Sequence, residues 1–258
     1  MVIKENNFWK QTLKNIRFIP RLDIKNNFLI KGINLEGLRK IGNPNEFAKK
    51  YYKNGADEIL FIDCVASLYG RNSLNEIIRK SVEDIYVPIT VGGGIRSIED
   101  VEKLLNCGAD KVAINTAAVN NPDLINSAVN KYGSSTIVIS IEAKKKAENI
   151  WEVYVNNGRD KTGKNLLDWV IEIQNRGAGE ILLTSVDNEG TRNGFDIEMY
   201  AQLNDICNIP IIASGGMGTS KDIVDLVYHA DIQAVAFADI IHYNRASILE
   251  IKNFYNEN

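Results

Sequence analysis

Two carboxylates and two glycine clusters are the residues of this chain whose types and spacing point to chemistry. Asp23 closes the apolar run 18–24 and Glu142 closes the run 137–142. Carboxylates that face one another over a ligand divide acid and base work when their surroundings push their proton affinities apart. The alternative for each is a loop cap or an ion pair with Lys25 or Lys144. The glycines stand at 92–94 in "TVGGGIRS" and at 215–216 in "IIASGGMGTS", each after an apolar run and before a helix-length segment. Such a loop offers backbone N–H groups and a positive helix end to an anion. A lone Gly-Gly pair serves a tight turn equally well. Its recurrence at equivalent places favours phosphate binding and a ligand with a phosphate at each end.

The elements that position these groups are themselves repeated. "EILFIDCVAS" (58–67) recurs as "EILLTSVDNEG" (180–190), and "GADKVAINTAA" (108–118) as "HADIQAVAFAD" (229–239). The first pair and the glycine pairs are offset by 122 positions, and Ala109 and Ala230 by 121. A near-constant offset over three blocks implies two similar halves. Strand-length apolar runs fall at 18–24, 59–63, 88–91, 112–115, 137–142, 181–185, 210–213 and 234–238. Amphipathic segments lie between them, such as 44–53 behind an Asn43 cap, 98–106 behind Ser97 and 221–228 behind Ser220. Runs apolar on both faces read as parallel strands covered by helices. Eight such units in two halves predict a (β/α)8 TIM barrel with its chemistry at the strand C-termini. An open doubly wound sheet is the runner-up, disfavoured because the repeat would leave two open edges. Residues 25–42 and 144–164 read as longer loops, the second as a hairpin excursion containing "NNG".

The chain's 258 residues, 45% hydrophobic and 24% charged, suffice for one large core. Residues 1–16 read as an N-terminal extension with a short helix near 8–13, and 17–258 as a single barrel domain. A net charge of −3 with no basic stripe argues against nucleic-acid binding, and Lys144-Lys145-Lys146 reads as a solvated loop. Cys64, Cys107 and Cys207 are odd in number and lack a CxxC, which argues against a disulfide framework or a zinc site. Only His229 and His242 are present, so no histidine-rich metal site is expected. No apolar run approaches the roughly 20 residues of a membrane span, and the charged N-terminus is unlike a signal peptide, so a cytoplasmic location is expected.

The segments "RLDIKNNFLIKGINLEGLRKIGNP", "FIDCVAS", "TVGGGI", "GADKVAINTAAV", "NPDLI", "GAGEILLTSVDNEGT" and "PIIASGG" follow one another over residues 17–256. In order and spacing the chain resembles the cyclase subunit of imidazole glycerol phosphate synthase. The resemblance implies a barrel that takes ammonia from a separate glutaminase subunit, paired 1:1, and uses no metal or organic cofactor. The ammonia would attack a phosphoribulosyl formimino carboxamide ribotide, giving imidazole glycerol phosphate and an aminoimidazole carboxamide ribotide. By position, Asp23 matches the first catalytic aspartate and Lys31 the flexible-loop lysine. Gly94, Asn115 and Thr116 match one phosphate cradle, and Gly190, Gly216 and Ala238 the other. Arg17, Glu58, Lys111 and Glu180 fall at strand starts, where the resemblance implies a ring that gates ammonia entry, with Asp110 coupling the subunits. A neutral ion-pair ring that merely closes the barrel bottom is the structural alternative.

The departures from the family's pattern set the functional expectation. Glu142 stands where a second catalytic aspartate is expected, and Glu189 replaces an aspartate in Asp187-Asn188-Glu189-Gly190-Thr191. Each adds a methylene and displaces a carboxylate by more than about an ångström, where catalysis needs placement within about 0.5 Å. Asp239 replaces a small hydroxyl residue of the second cradle, where a carboxylate would repel phosphate, and Arg21 replaces a small residue two before Asp23. The expected function is therefore a paralogue that receives ammonia from a glutaminase and serves amidination of a surface sugar, with weakened cyclase chemistry and a phosphorylated or sugar substrate. The alternatives are the ordinary histidine-pathway cyclase and a non-catalytic activator of a glutaminase. A single-chain sugar-phosphate isomerase is weaker, having no use for an ammonia gate.

Overall fold

A computed structural model describes residues 14–65 and 74–257. The helix expected near 8–13 and the end of the first repeat block, 66–67, lie outside the described residues. Among the described residues twelve strands form: β1 (Arg17–Lys25), β2 (Phe28–Ile33), β3 (Glu36–Gly42), β4 (Ile59–Asp63), β5 (Ile89–Gly92), β6 (Lys111–Ile114), β7 (Ile137–Ala147), β8 (Ile150–Val155), β9 (Asp160–Asn165), β10 (Glu180–Ser185), β11 (Ile211–Ser214) and β12 (Ala234–Phe237). Eight of these correspond to the eight apolar runs. They pair in parallel in the order β10, β11, β12, β1, β4, β5, β6, β7, and β7 pairs with β10 to close the ring. Closure makes the fold a (β/α)8 barrel and rules out the open sheet.

Period-2 alternation divides each strand between two environments. Phe18, Leu22 and Ile24 of β1 face outward into the layer between strands and helices, which also buries Tyr51, Trp169 and Tyr200. Ile19 faces inward, with Leu60, Val138, Leu182, Ile212 and Ala236, in a separate apolar layer inside the barrel. Burying each large aliphatic side chain in these layers stabilises the fold by about 1.5–3 kcal/mol. Among the described residues no helix is long and apolar enough to cross a membrane.

Two of the expected caps form. Asn43 accepts from the N–H groups of Asn45 and Glu46, and Ser97 from that of Asp100. Ser220 makes no side-chain cap, a correction with a local cause: its φ of −63° and ψ of −27° are already helical, whereas a capping residue needs extended backbone. Asp222 instead accepts from the N–H groups of Gly218 and Thr219.

Residues 25–42, expected as a plain loop, form the antiparallel strands β2 and β3 built on the end of β1. The missed signal is Asn26-Asn27, whose φ values of 48° and 64° make the paired positive-φ turn that joins tightly twisted strands. The expected second excursion is present as β8 and β9, carried on the end of β7, with a similar turn at Asn156 (φ 55°) and Asn157 (φ 63°). Both excursions thus grow from the first strand of a half-barrel, and both reach over the mouth.

The repeat is exact enough to be seen in backbone angles. Gly93 and Gly215 both have φ of +96°. A Cβ at Gly93 would lie 2.2 Å from the Asp63 carbonyl oxygen, and one at Gly215 would lie 2.6 Å from that of Ser185. Each glycine lets its loop pass against the end of the preceding strand. Gly133 has φ of +84° and nothing within 4 Å of its Cβ position. Gly133→Ala, at φ 84° and ψ 154°, should therefore cost about 1–3 kcal/mol of backbone strain, and Gly93→Ala or Gly215→Ala more than that, because a clash with backbone adds to the strain. Urea unfolding midpoints of the three variants check the order.

Candidate active site

Asp23 lies at the mouth end of β1, 4% exposed. Arg21, two residues earlier on the same inward face and 3% exposed, donates from Nε to Asp23 Oδ1 at 2.9 Å. The guanidinium continues across the barrel, donating from Nη1 to Thr184 Oγ1 at 2.9 Å on β10 and to Ser214 Oγ at 3.2 Å on β11. Burial alone would push the Asp23 carboxyl up, but the Arg21 guanidinium and the Lys31 ammonium outweigh it and hold the group below the usual carboxylate range.

Glu142 sits opposite Thr184 in the β7–β10 register and is 8% exposed. Its Oε2 accepts from the N–H of Gly158, in the β8–β9 turn, at 2.7 Å. Burial is the main influence on it; the Asp23 charge adds to burial, while the Gly158 N–H and Arg21 act the other way, and the pKa is pushed up to about 7. One carboxylate is therefore held charged and the other balanced between forms at neutral pH.

Lys31, on β2, is folded into the mouth and ion-paired with Glu189. Burial would lower the lysine pKa, but Glu189 and Asp23 hold it above its ordinary value. The Asn34 N–H donates to the Glu189 carbonyl at 2.7 Å and the Asn34 side chain to the Asp187 carbonyl at 3.2 Å. The first hairpin is thus fastened to the loop after β10. It also meets the second hairpin, since Asn157 Nδ2 donates to the Leu35 carbonyl at 3.1 Å.

The residues expected to form the two cradles line two separate cavities of unequal size. Gly94, Asn115 and Thr116 line an open cavity of about 480 Å³ that extends to Glu142. Among the residues lining it, Asn115 has its Oδ1 buried without a hydrogen-bond partner. Gly190, Gly216 and Ala238 surround only about 10 Å³, because Lys31 and the first hairpin fill that side.

Asp239 borders the second cradle, but its carboxylate turns to Arg245, accepting from Nε at 3.0 Å, with Arg192 3.9 Å away. The expected repulsion of a phosphate is thereby neutralised. Three contacts were not legible in the sequence: the Arg21 tie across the barrel, the Gly158 bond to Glu142 and the Arg245 bond to Asp239. In the first two the partners are brought together only by the closed sheet or the hairpin turn.

At the opposite end of the barrel, four charges alternate in sign. Arg17 bonds Glu58 at 2.7 Å and also Glu180, and Lys111 bonds Glu58 at 3.0 Å and Glu180 at 2.9 Å. Thr90 donates to the second oxygen of Glu58. Arg17 keeps 32% of its side chain exposed while Glu58 and Glu180 are buried, so the ring borders on solvent at the N-terminal face. Asp110 is exposed on that face and accepts from the Ile89 N–H at 2.8 Å, fixing the start of β5.

Residues 17–247, the whole of the barrel, match the family model described as "Histidine biosynthesis protein". The chain belongs to the histidine biosynthesis protein family. Members of this family similar to it include the imidazole glycerol phosphate synthase subunit HisF of Legionella pneumophila. It is 57% identical over 210 residues, covering 81% of this chain and 99% of that protein. The protein of the same name from Lactococcus lactis is 47% identical over 241 residues, covering 92% of each chain. That of Streptococcus sanguinis is 44% identical over 236 residues, covering 92% of this chain and 94% of that protein.

Within this family member, the raised pKa of Glu142 has a consequence for stability. The folded pKa, about 7, lies above the unfolded one, so the folded state binds the extra proton between them and stability falls as pH rises through that window. Glu142→Gln keeps an acceptor for Gly158 and removes the titration. It should match the parent near pH 4.5 and exceed it by about 3 kcal/mol above pH 8. Urea unfolding at the two pH values checks this; an unchanged pH slope in the variant would assign the proton elsewhere.

Proposed function

We propose that this chain is the ordinary cyclase subunit of imidazole glycerol phosphate synthase, receiving ammonia from a glutaminase partner. The carrying observation is the divergence of the two mouth carboxylates: Asp23 held ionised by Arg21 and Lys31, and Glu142 raised to about 7 by burial. In the cyclase reaction Asp23 serves as the base that takes a proton from the attacking nitrogen, and Glu142 as the acid that supplies one to the departing group. The open cradle at Gly94, Asn115 and Thr116 receives one phosphate end of the ribotide. The cradle at Gly190, Gly216 and Ala238 receives the other once Lys31 and its hairpin move aside.

The surface-sugar reading had its motive in Glu142, Glu189 and Asp239, and each finds a partner that keeps it compatible with the family reaction. Glu142 is held by Gly158, Glu189 by Lys31 and Asp239 by Arg245. The relatives named as HisF also favour the ordinary cyclase over the paralogue. For the partner, the support is the subunit naming of those relatives together with the ring of Arg17, Glu58, Lys111 and Glu180. That ring faces the end of the barrel where Asp110 is exposed, a suitable surface for a 1:1 glutaminase complex.

The deciding experiment is complementation of a strain lacking the cyclase subunit. Growth without histidine is expected; soluble expression without growth would return the sugar-amidination reading, and absence of any stimulation of a co-purified glutaminase would remove the conduit as well. With the purified chain and ammonia, Asp23→Asn should lower turnover by about 100-fold or more. Because Glu142 acts from its protonated form, the parent rate at a fixed concentration of free NH3 should fall as pH rises through about 7. Steady-state pH profiles test the sign, and a rate rising through that range would reverse the assignment of acid and base.

A further inference from the structure

Above, Arg21 acts only through its charge, holding Asp23 ionised, yet its guanidinium also makes three directed bonds inside the barrel. An arginine on an inward position is costly unless its donors are satisfied and its charge is paired. Here one donor meets a carboxylate two residues away and another meets hydroxyls on two strands from the other half of the barrel, 163 and 193 residues later. The planar guanidinium is therefore fixed by three bonds on three strands. Its position lies between the inner apolar layer around Ile19 and the mouth.

We propose that Arg21 is a positioning residue for Asp23, a tie anchored on Thr184 and Ser214 that fixes where the Asp23 carboxylate points. The geometry carries this. Asp23 Oδ1 has a directed bond to a rigid donor, and the donor cannot swing without breaking its contacts to Thr184 and Ser214. Several other titratable or charged groups face the pair: Lys31 from β2, Cys64 after β4, Glu142 from β7, Glu189 after β10 and His242 from the helix Asp239–His242. None of these makes a hydrogen bond to Asp23 among the described contacts. Cys64 is pushed well above its ordinary value by burial and stays a thiol, and His242 is pulled down to about 3 by burial and stays neutral. Lys31 is bonded to Glu189, so only Arg21 both touches Asp23 and is immobilised. Burial would lower the guanidinium pKa, but Asp23 and Glu189 more than compensate, so its charge is constant across the working range.

The inference rests on the cyclase reading for its kinetic test and on Asp23 itself for a test that needs no turnover. Arg21→Ser, Arg21→Lys and the double variant Thr184→Ala/Ser214→Ala are compared with the parent in ammonia-driven turnover across pH at a fixed concentration of free NH3. Arg21→Ser should lower kcat by about 100-fold with KM little changed, and should move the acidic limb of the profile upward by about one pH unit or more. Arg21→Lys should restore the limb but not kcat, since a point charge replaces the fork. The double variant keeps the charge and loosens its anchor, so kcat should fall about 10-fold with the limb in place. It also keeps the question testable where loss of Arg21 prevents folding. Parent-like kcat and limb in Arg21→Ser, or losses confined to the unfolding midpoint in all variants, would reduce Arg21 to a structural brace. In parallel, the Asp23 carboxyl is titrated by 13C NMR in parent and Arg21→Lys proteins. Altered chemical shift with preserved titration is expected, and an identical signal in the two proteins overturns the tie. If the parent shows no turnover, the cyclase reading fails while this titration still decides the role of Arg21.

Discussion

Inside a closed eight-stranded barrel an ionised side chain cannot rely on bulk water, so each charge must find its counter-charge within the lumen or give it up. This chain places charges at both ends of its lumen and meets the requirement in sequence from bottom to top. The ring of Arg17, Glu58, Lys111 and Glu180 balances two positive against two negative groups. Above the apolar layer, Arg21 is matched by Asp23, and at the mouth Lys31 is matched by Glu189. Glu142 is the inward carboxylate that has a backbone N–H in place of a cation. Burial accordingly pushes its pKa up to about 7, while Asp23 beside Arg21 is held below the usual carboxylate range.

The duplicated architecture supplies the geometry in which this happens. Each half begins with a strand that carries a carboxylate and then a hairpin, and each half continues to a glycine loop turned by the same backbone angle. The halves then diverge in how the hairpin treats its carboxylate. The second hairpin bonds Glu142 directly through Gly158, whereas the first sends Lys31 past Asp23 to Glu189. Asymmetry of charge on a symmetric scaffold gives one end of the mouth an open cavity and leaves the other covered.

Much of this was legible in the sequence, for identifiable physical reasons. The eight barrel strands were readable because burial on both faces leaves continuous apolar runs, and the strand ends marked Asp23, Glu142 and the glycine loops. β2 and β3 were not, because they are partly exposed and their turn signals are slight: Asn26-Asn27 before β2 and Asn34-Leu35 between β2 and β3. Arg21 was visible as a departure but not as a tie, since Thr184 and Ser214 reach it only through closure of the sheet. Asp239 was read as a hostile charge because nothing in its own segment shows that Arg245, six residues on and beyond the end of the short helix, folds back onto it. Ser220 had the right side chain for a cap and the wrong backbone angles.

The single bond from Asn157 to the backbone of Leu35 joins two hairpins that belong to different halves of an ancient repeat. A roof made of two flaps that hold hands has one clock rather than two. Lifting either flap must break that bond or carry the other flap with it, so the two sides of the mouth are mechanically linked at this point.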